Sequence, residues 1–158
     1  MGDHDDLALW VALSQLLADY WADVDANGGQ EAHLFYVSDG IYVVGNNRFE
    51  GRDAIAGFYT RRRHGATATR HMVSNLRVFR DEAARARMTG LMTLYRAEGK
   101  SPFQGAHPPA MIADLDIACR LDADGRWRFE SHLLRPFIVG HDMPASIMIR
   151  GQSIARTG

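Results

Sequence analysis

The sequence predicts an α+β domain in which a curved antiparallel sheet wraps over one long N-terminal helix. Three observations carry this expectation. The chain opens with a single helical period of apolar residues, its second half holds three long strand-like runs, and short polar turns join several of these elements. At 158 residues it fits one domain with a real core, expected over about residues 5–140 with a tail at 141–158.

The first element spans residues 5–25, with Leu9, Trp10, Leu13, Leu16, Leu17, Tyr20, Trp21 and Val24 at the spacing of a helix with one buried stripe. "ANGG" at 26–29 ends it, because consecutive glycines suit a helix C-terminus and turn. "QEAHLFYVSDG" reads as a short helix or loop, and "IYVVG" as a strand by its β-branched and aromatic content, closed by a turn at "NN". "EGRDAIAGFYTRRR" (50–63) is a second helix with Ile55, Phe58 and Tyr59 on one side. Long strands follow at about 69–79 and 85–97, joined by the polar "RDEA".

The third long strand, "MIADLDIACRL", sets Met111, Ala113, Leu115, Ile117, Cys119 and Leu121 on one face against Asp114, Asp116 and Arg120 on the other. "DADG" turns into the closing strand "RWRFESHLLRPFIV". Between the second and third long strands lies "GKSPFQGAHPPA", a Gly/Pro-rich loop of the length that binding loops tend to have. A curved sheet over one helix leaves a cone with an open mouth, where pockets form.

Composition excludes several classes. A net charge of −1 gives no global attraction to nucleic acid or anionic membrane. The lone Cys119 removes any internal disulfide or cysteine-based zinc site and reads as a small buried hydrophobe. The acidic start "MGDHDD" lacks a signal peptide's basic region, fails the myristoylation pattern at Asp6, and no run has the length of a bilayer span, so a cytoplasmic protein is expected. There is no phosphate-cradling glycine loop, no nucleophile elbow, no His-Glu-x-x-His and no metal-ligand spacing among the scattered histidines. Neither a cofactor nor a metal is expected.

"DYWADVD", "VSDGIYVVG", "FEGRDAIAGFY", "TRHMVSNLRV" and "DGRWRFESHLLRPF", in this order over most of residues 7–138, resemble the SnoaL-like group of the nuclear transport factor 2-like superfamily. That group includes polyketide cyclases, scytalone dehydratase, bile-acid dehydratase and hexachlorocyclohexane dehydrochlorinase. The resemblance implies a cone-shaped, cystatin-like α+β barrel and a homodimer or homotrimer. In the dehydratase members a tyrosine and, five residues on, an aspartate sit on the first helix, and a histidine, often within "RH", sits on a strand after the second helix. Tyr20, Asp25 and His71 (after Arg70) stand at those positions here. Since fold membership leaves the reaction open, the residues themselves have to be weighed.

Helix geometry singles out the same aspartate. Taking Leu17 as the centre of the apolar stripe, Asp25 lies about 80° away, Asp23 about 120° and Asp19 about 160°. Asp25 is also four residues past Trp21 and shares its face. An aspartate accepting a hydrogen bond from one imidazole nitrogen fixes the tautomer and leaves the other nitrogen as a base, while Tyr20 can donate to developing negative charge. Trp21, Phe35, Tyr42, Phe58, Met88 and Met92 are expected around a pocket suited to a ring-bearing substrate.

Alternation on the first long strand argues against this arrangement. His71, Val73, Asn75, Arg77 and Phe79 share one face, and the opposite face, with Met72, Leu76 and Val78, looks better suited to the interior. A strand histidine also serves simply as a hydrogen-bonded core residue. His132 shares a face with Arg128 and Glu130 that is solvent, interface or the pocket's far wall. Asp114 and Asp116 suit a cross-strand ladder with Arg120 or Arg128, His107 a solvated loop, and "RRRH" at 61–64 a solvated helix end. The leading expectation is a dehydratase or isomerase acting on a small hydrophobic molecule. The alternative is a non-catalytic ligand-binding protein or a subunit scaffold resembling the β subunit of ring-hydroxylating dioxygenases.

Overall fold

The computed structural model describes residues 3–141 and 143, so the tail expected over 141–158 lies almost wholly outside the described residues. Helix α1 runs Asp3–Ala26 and buries Leu9, Leu13, Leu17, Tyr20, Trp21 and Val24. Steps of three and four keep these on one face. Trp10, expected in the same stripe, sits one step round from Leu9 and is 45% exposed. The helix stops where Gly28 and Gly29 take φ of 66° and 71°. A Cβ at Gly29 would overlap the Tyr59 ring, so both backbone angle and space require glycine there.

After a 3-10 turn at Ala32–Phe35 come β1 (Tyr36–Val44), β2 (Asn47–Glu50), α2 (Gly51–Arg62), β3 (Thr67–Glu82), β4 (Arg85–Glu98), β5 (Met111–Leu121) and β6 (Trp127–Val139). The strands form one sheet in the order β2-β1-β6-β5-β4-β3. Neighbours are antiparallel, as expected of the long strands, except β1 and β6, which pair in parallel. β1 starts at Tyr36, not at Ile41, and the register slip between those two residues breaks the alternation that would have marked it as a strand. β2 had no counterpart in the sequence reading; the hairpin turns at Gly45–Asn46, which frees Asn47 to pair with Val44.

The inner face of β5 is as expected, with Met111, Ala113, Leu115, Ile117 and Cys119 all buried. α1 packs across β3, and its buried stripe joins these side chains in one core. Burial pushes the Cys119 thiol pKa well up, as suits an inert hydrophobe. Asp116 pairs with Arg135 at 2.7 Å, instead of with Arg120 or Arg128. Those arginines bond Glu130 and Asp39, and Asp122 and Asp124, respectively.

One irregularity decides the site. β3 and β4 slip register between Ser74 and Arg77, where Asn75 takes φ 53°. Before this bulge the odd-numbered Thr69, His71 and Val73 face inward; beyond it the even-numbered Leu76 and Val78 do. Strict alternation forces a choice between His71 and Leu76, and one extra residue lets both be inside. Met72, on the face expected to be interior, is 59% exposed.

Candidate active site

Asp25 ends the last turn of α1 and meets β3 at His71. Its Oδ1 lies 2.6 Å from His71 Nδ1, and its Oδ2 accepts the His71 backbone N–H at 2.8 Å. Thr69, two residues before His71 and on the same face, donates its hydroxyl to Asp25 Oδ1 at 2.8 Å. Arg62 Nη2, from the end of α2, donates in turn to Thr69 Oγ1 at 3.1 Å. Trp21, one turn before Asp25, stacks on the imidazole with ring centroids 4.0 Å apart and planes 9° from parallel.

These contacts set the protonation states. Burial alone would raise the Asp25 pKa, but the His71 ring, its charge, its backbone N–H and the Thr69 hydroxyl outweigh burial and hold it below the usual carboxylate value. For His71, burial dominates and lowers the pKa, assisted by the Arg62 charge, against an upward pull from Asp25. An ionised carboxylate only accepts hydrogen bonds, so a neutral His71 carries its proton on Nδ1, and Nε2 is the basic atom.

His71 lines a cavity of about 400 Å³. Its walls are mostly apolar, with Tyr42, Val44, Phe58, Met92, Met111 and Leu134 around the histidine. Arg61, Arg62 and Arg96 also line it, although "RRRH" had read as a solvated helix end. Tyr42, Phe58 and Met92 therefore stand where a pocket lining was expected. Trp21, Phe35, Met88 and His132 are not among the lining residues: Trp21 backs the imidazole, Phe35 packs on Tyr20, and Met88 is fully buried in the core.

Tyr20 is also fully buried and lies outside the lining, at the centre of a ring-on-ring cluster. Its hydroxyl shares a hydrogen bond with that of Tyr59 and accepts from Tyr36 at 3.1 Å. The Tyr36 hydroxyl lies 3.1 Å from Nδ1 of the buried His132. Burial raises the pKa of every tyrosine in the cluster, Tyr42 to about 12, so each keeps its proton at neutral pH. His132 goes the other way: burial and the His71 charge drop it to about 3. It is an interior residue, not a far wall of the pocket, and its Nε2 has no hydrogen-bond partner.

Thr69, Tyr36 and Tyr59 escaped the sequence reading as site residues. Thr69 had a usable signal, since a residue two before an inward histidine faces the same way. Among the described residues no three His, Cys, Asp or Glu side chains cluster to hold a metal ion. No helix among them is long and apolar enough to cross a membrane. His107 is exposed on the 99–110 loop, bonded to Gln104 O at 3.2 Å.

With the fold and the geometry of the candidate site in place, the class of the chain follows from its sequence match: residues 5–132 match the SnoaL-like domain family, and the protein is a member of it. No curated protein sequence matches the chain. Among solved structures, it is similar to a provisionally assigned scytalone dehydratase from Novosphingobium aromaticivorans, with a TM-score of 0.77, 18% identity, and 94% of this chain and 97% of that one covered. It is also similar to ActVI-ORFA from Streptomyces coelicolor, with a TM-score of 0.71, 11% identity and coverage of 82% and 98%. A Catenulispora acidiphila protein in complex with S-DNPA matches with a TM-score of 0.69, 18% identity and coverage of 82% and 94%. At these identities the likeness establishes the fold.

Proposed function

We propose that this protein is a lyase or isomerase that works through its own side chains on a hydrophobic, ring-bearing small molecule. The observation that carries the reading is the Asp25–His71 contact of 2.6 Å at the wall of an apolar cavity. His71 Nε2 takes a proton from the carbon beside a carbonyl, and the imidazolium formed is stabilised by the ionised Asp25. In a dehydration, the C–H electrons form the double bond, the C–OH bond breaks, and the imidazolium returns its proton to the departing hydroxyl as water. In an isomerisation the same proton returns to a carbon further along.

Developing charge on the carbonyl oxygen calls for a donor, and Tyr42 is the tyrosine of the cluster that lines the cavity. Tyr20 acts from behind, through the hydroxyl network it shares with Tyr59 and Tyr36. The similar Catenulispora protein, solved with S-DNPA, supports a small-molecule role for the cavity.

The test is deuterium exchange and elimination on a panel of ring-bearing β-hydroxy ketones in D2O, followed by NMR. The wild type is expected to exchange or eliminate on at least one, and His71→Ala to lose this with a melting temperature within a few degrees of wild type. Full activity in that variant would sink the base assignment.

A scaffold reading has one observation in its favour. Phe137 and Ile138, on β6, are 76% and 50% exposed. They suit a face covered in a homodimer or homotrimer, which light scattering on the purified protein would show. A monomer that is catalytically active would dismiss the scaffold.

A further inference from the structure

The two oxygens of Asp25 are not used alike. Oδ2 takes the His71 backbone N–H at 2.8 Å, while Oδ1 is shared between His71 Nδ1 at 2.6 Å and the Thr69 hydroxyl at 2.8 Å. A hydroxyl has one proton, and that of Thr69 goes to Asp25, so its oxygen accepts from Arg62 Nη2 at 3.1 Å. A cation on one side and a carboxylate on the other polarise this O–H and strengthen its donation. Thr69 is 7% exposed, which leaves water little room to replace it. Its branched Cβ limits the rotamers open to the hydroxyl, and pleat alternation turns it the same way as His71. Arg62 is held in its turn at the end of α2, 5.9 Å from the Tyr59 ring centroid. One hydroxyl thus joins α1, α2 and β3. The charged and titratable groups around the imidazole are Asp25 from α1, Arg61 and Arg62 from α2, Arg96 from β4 and His132 from β6. Asp25 is bonded to the ring directly and Arg62 is linked to it through Thr69 and Asp25.

We propose that Thr69 is the positioning residue of the dyad: its hydroxyl, polarised by Arg62, orients the Asp25 carboxylate and, by sharing Oδ1 with His71, tempers that oxygen's pull on the imidazole proton. The proposal rests on Asp25 and His71 being the acid–base pair, and adds what sets the strength of the base. A carboxylate oxygen that already accepts a charge-assisted bond is a weaker acceptor for a second donor, so it stabilises the imidazolium less. His71 then stays neutral, and ready to take a proton, to lower pH than it would with Asp25 alone. The Arg62 charge works in the same direction, through the hydroxyl and through space. Removing the hydroxyl leaves Oδ1 to His71, and the ring then holds its extra proton to higher pH.

The experiment is a pH titration of the histidine ring nitrogens by NMR in 15N-labelled protein, with the His71 signals identified by their loss in His71→Ala. In wild type, His71 is expected as the Nδ1–H tautomer with a midpoint below 6.5. Thr69→Val keeps the side chain's shape without the hydroxyl and should move the midpoint up, whereas Thr69→Ser should restore it. Arg62→Met should also move it up, and by less when combined with Thr69→Val, because part of its effect passes through the hydroxyl. Thr69→Ala gives the same comparison if the valine variant does not fold. A midpoint that stays or falls without the hydroxyl, a serine variant that titrates like the valine one, or an equal Arg62→Met shift in both backgrounds would each overturn the proposal. The titration needs no substrate, so it separates the two ideas: the expected shifts in a protein without turnover leave the positioning role standing while the catalytic reading falls. With turnover present, the acid limb of its pH profile should move with the midpoint in every variant; a limb that stays put counts against Thr69 acting through His71.

Discussion

Trp21 lies flat against His71, 4.0 Å away and 9° from parallel, so the indole shields one whole face of the imidazole from water. Together with Asp25 on Nδ1, this fixes the ring's plane and leaves Nε2 as the nitrogen not engaged by Asp25. The side chain of His71 is only 4% exposed.

The stacking makes His71 titration visible. An imidazolium against an indole quenches its fluorescence, so a Trp10→Phe, Trp127→Phe variant should report His71 through Trp21 alone. The quenching transition is expected below pH 6.5, because burial lowers the His71 pKa. Activity that depends on neutral His71 should share that acid limb and stay flat through pH 7. A midpoint above 6.5 would contradict the neutral-base assignment.

Asp25→Asn keeps the shape of the contact but removes the charge that stabilises the imidazolium. Turnover is expected to fall by about 10²–10⁴-fold. Stability should drop by about 2 kcal/mol, because the His71 backbone N–H and the Thr69 hydroxyl lose a charged acceptor. Steady-state kinetics and chemical denaturation measure the two effects separately.

Asn75 holds the bulge in a left-handed conformation that asparagine tolerates and β-branched residues resist. Asn75→Val is expected to cost about 1–3 kcal/mol, and Asn75→Gly to be close to neutral. Deleting Asn75 should be far worse, since restored alternation must expel either His71 or Leu76 from the interior. Thermal melts of the three variants test the order.

His132 makes the fold acid-sensitive. Its pKa is about 3 in the folded protein and near 6.5 unfolded, so between those values the unfolded chain binds the extra proton. Stability is therefore whole above pH 6.5 and is lost as pH falls toward 3, by on the order of 5 kcal/mol from this residue. His71, also lowered, adds in the same direction. His132→Phe should flatten the stability–pH curve over this window, at about 1 kcal/mol for the lost Tyr36 hydrogen bond.

Much of this architecture was legible in the chain. The period of α1, the alternation of β5 and the glycines after Ala26 are local patterns, and local patterns survive into the fold. Asp25 could be picked from three aspartates because its angle on the helix is arithmetic. The start of β1, the strand β2 and the inward turn of His71 were hidden, since each depends on a register slip or a hairpin that only pairing partners fix. Tyr20 had the right spacing, yet its place behind the cavity reflects how Tyr36, Tyr59 and Phe129 crowd round it.

By itself, then, the sequence determined the kind of fold and offered Asp25 and His71 as candidates for acid–base chemistry, because residue type and helical period are written position by position. Tertiary structure alone decided that Asp25 and His71 touch, that Tyr42 instead of Tyr20 lines the cavity, and that Arg61 joins it. Those outcomes turn on one bulged residue and on where two helix ends meet a sheet. Contacts between residues far apart in the chain follow from packing, and no local pattern encodes them.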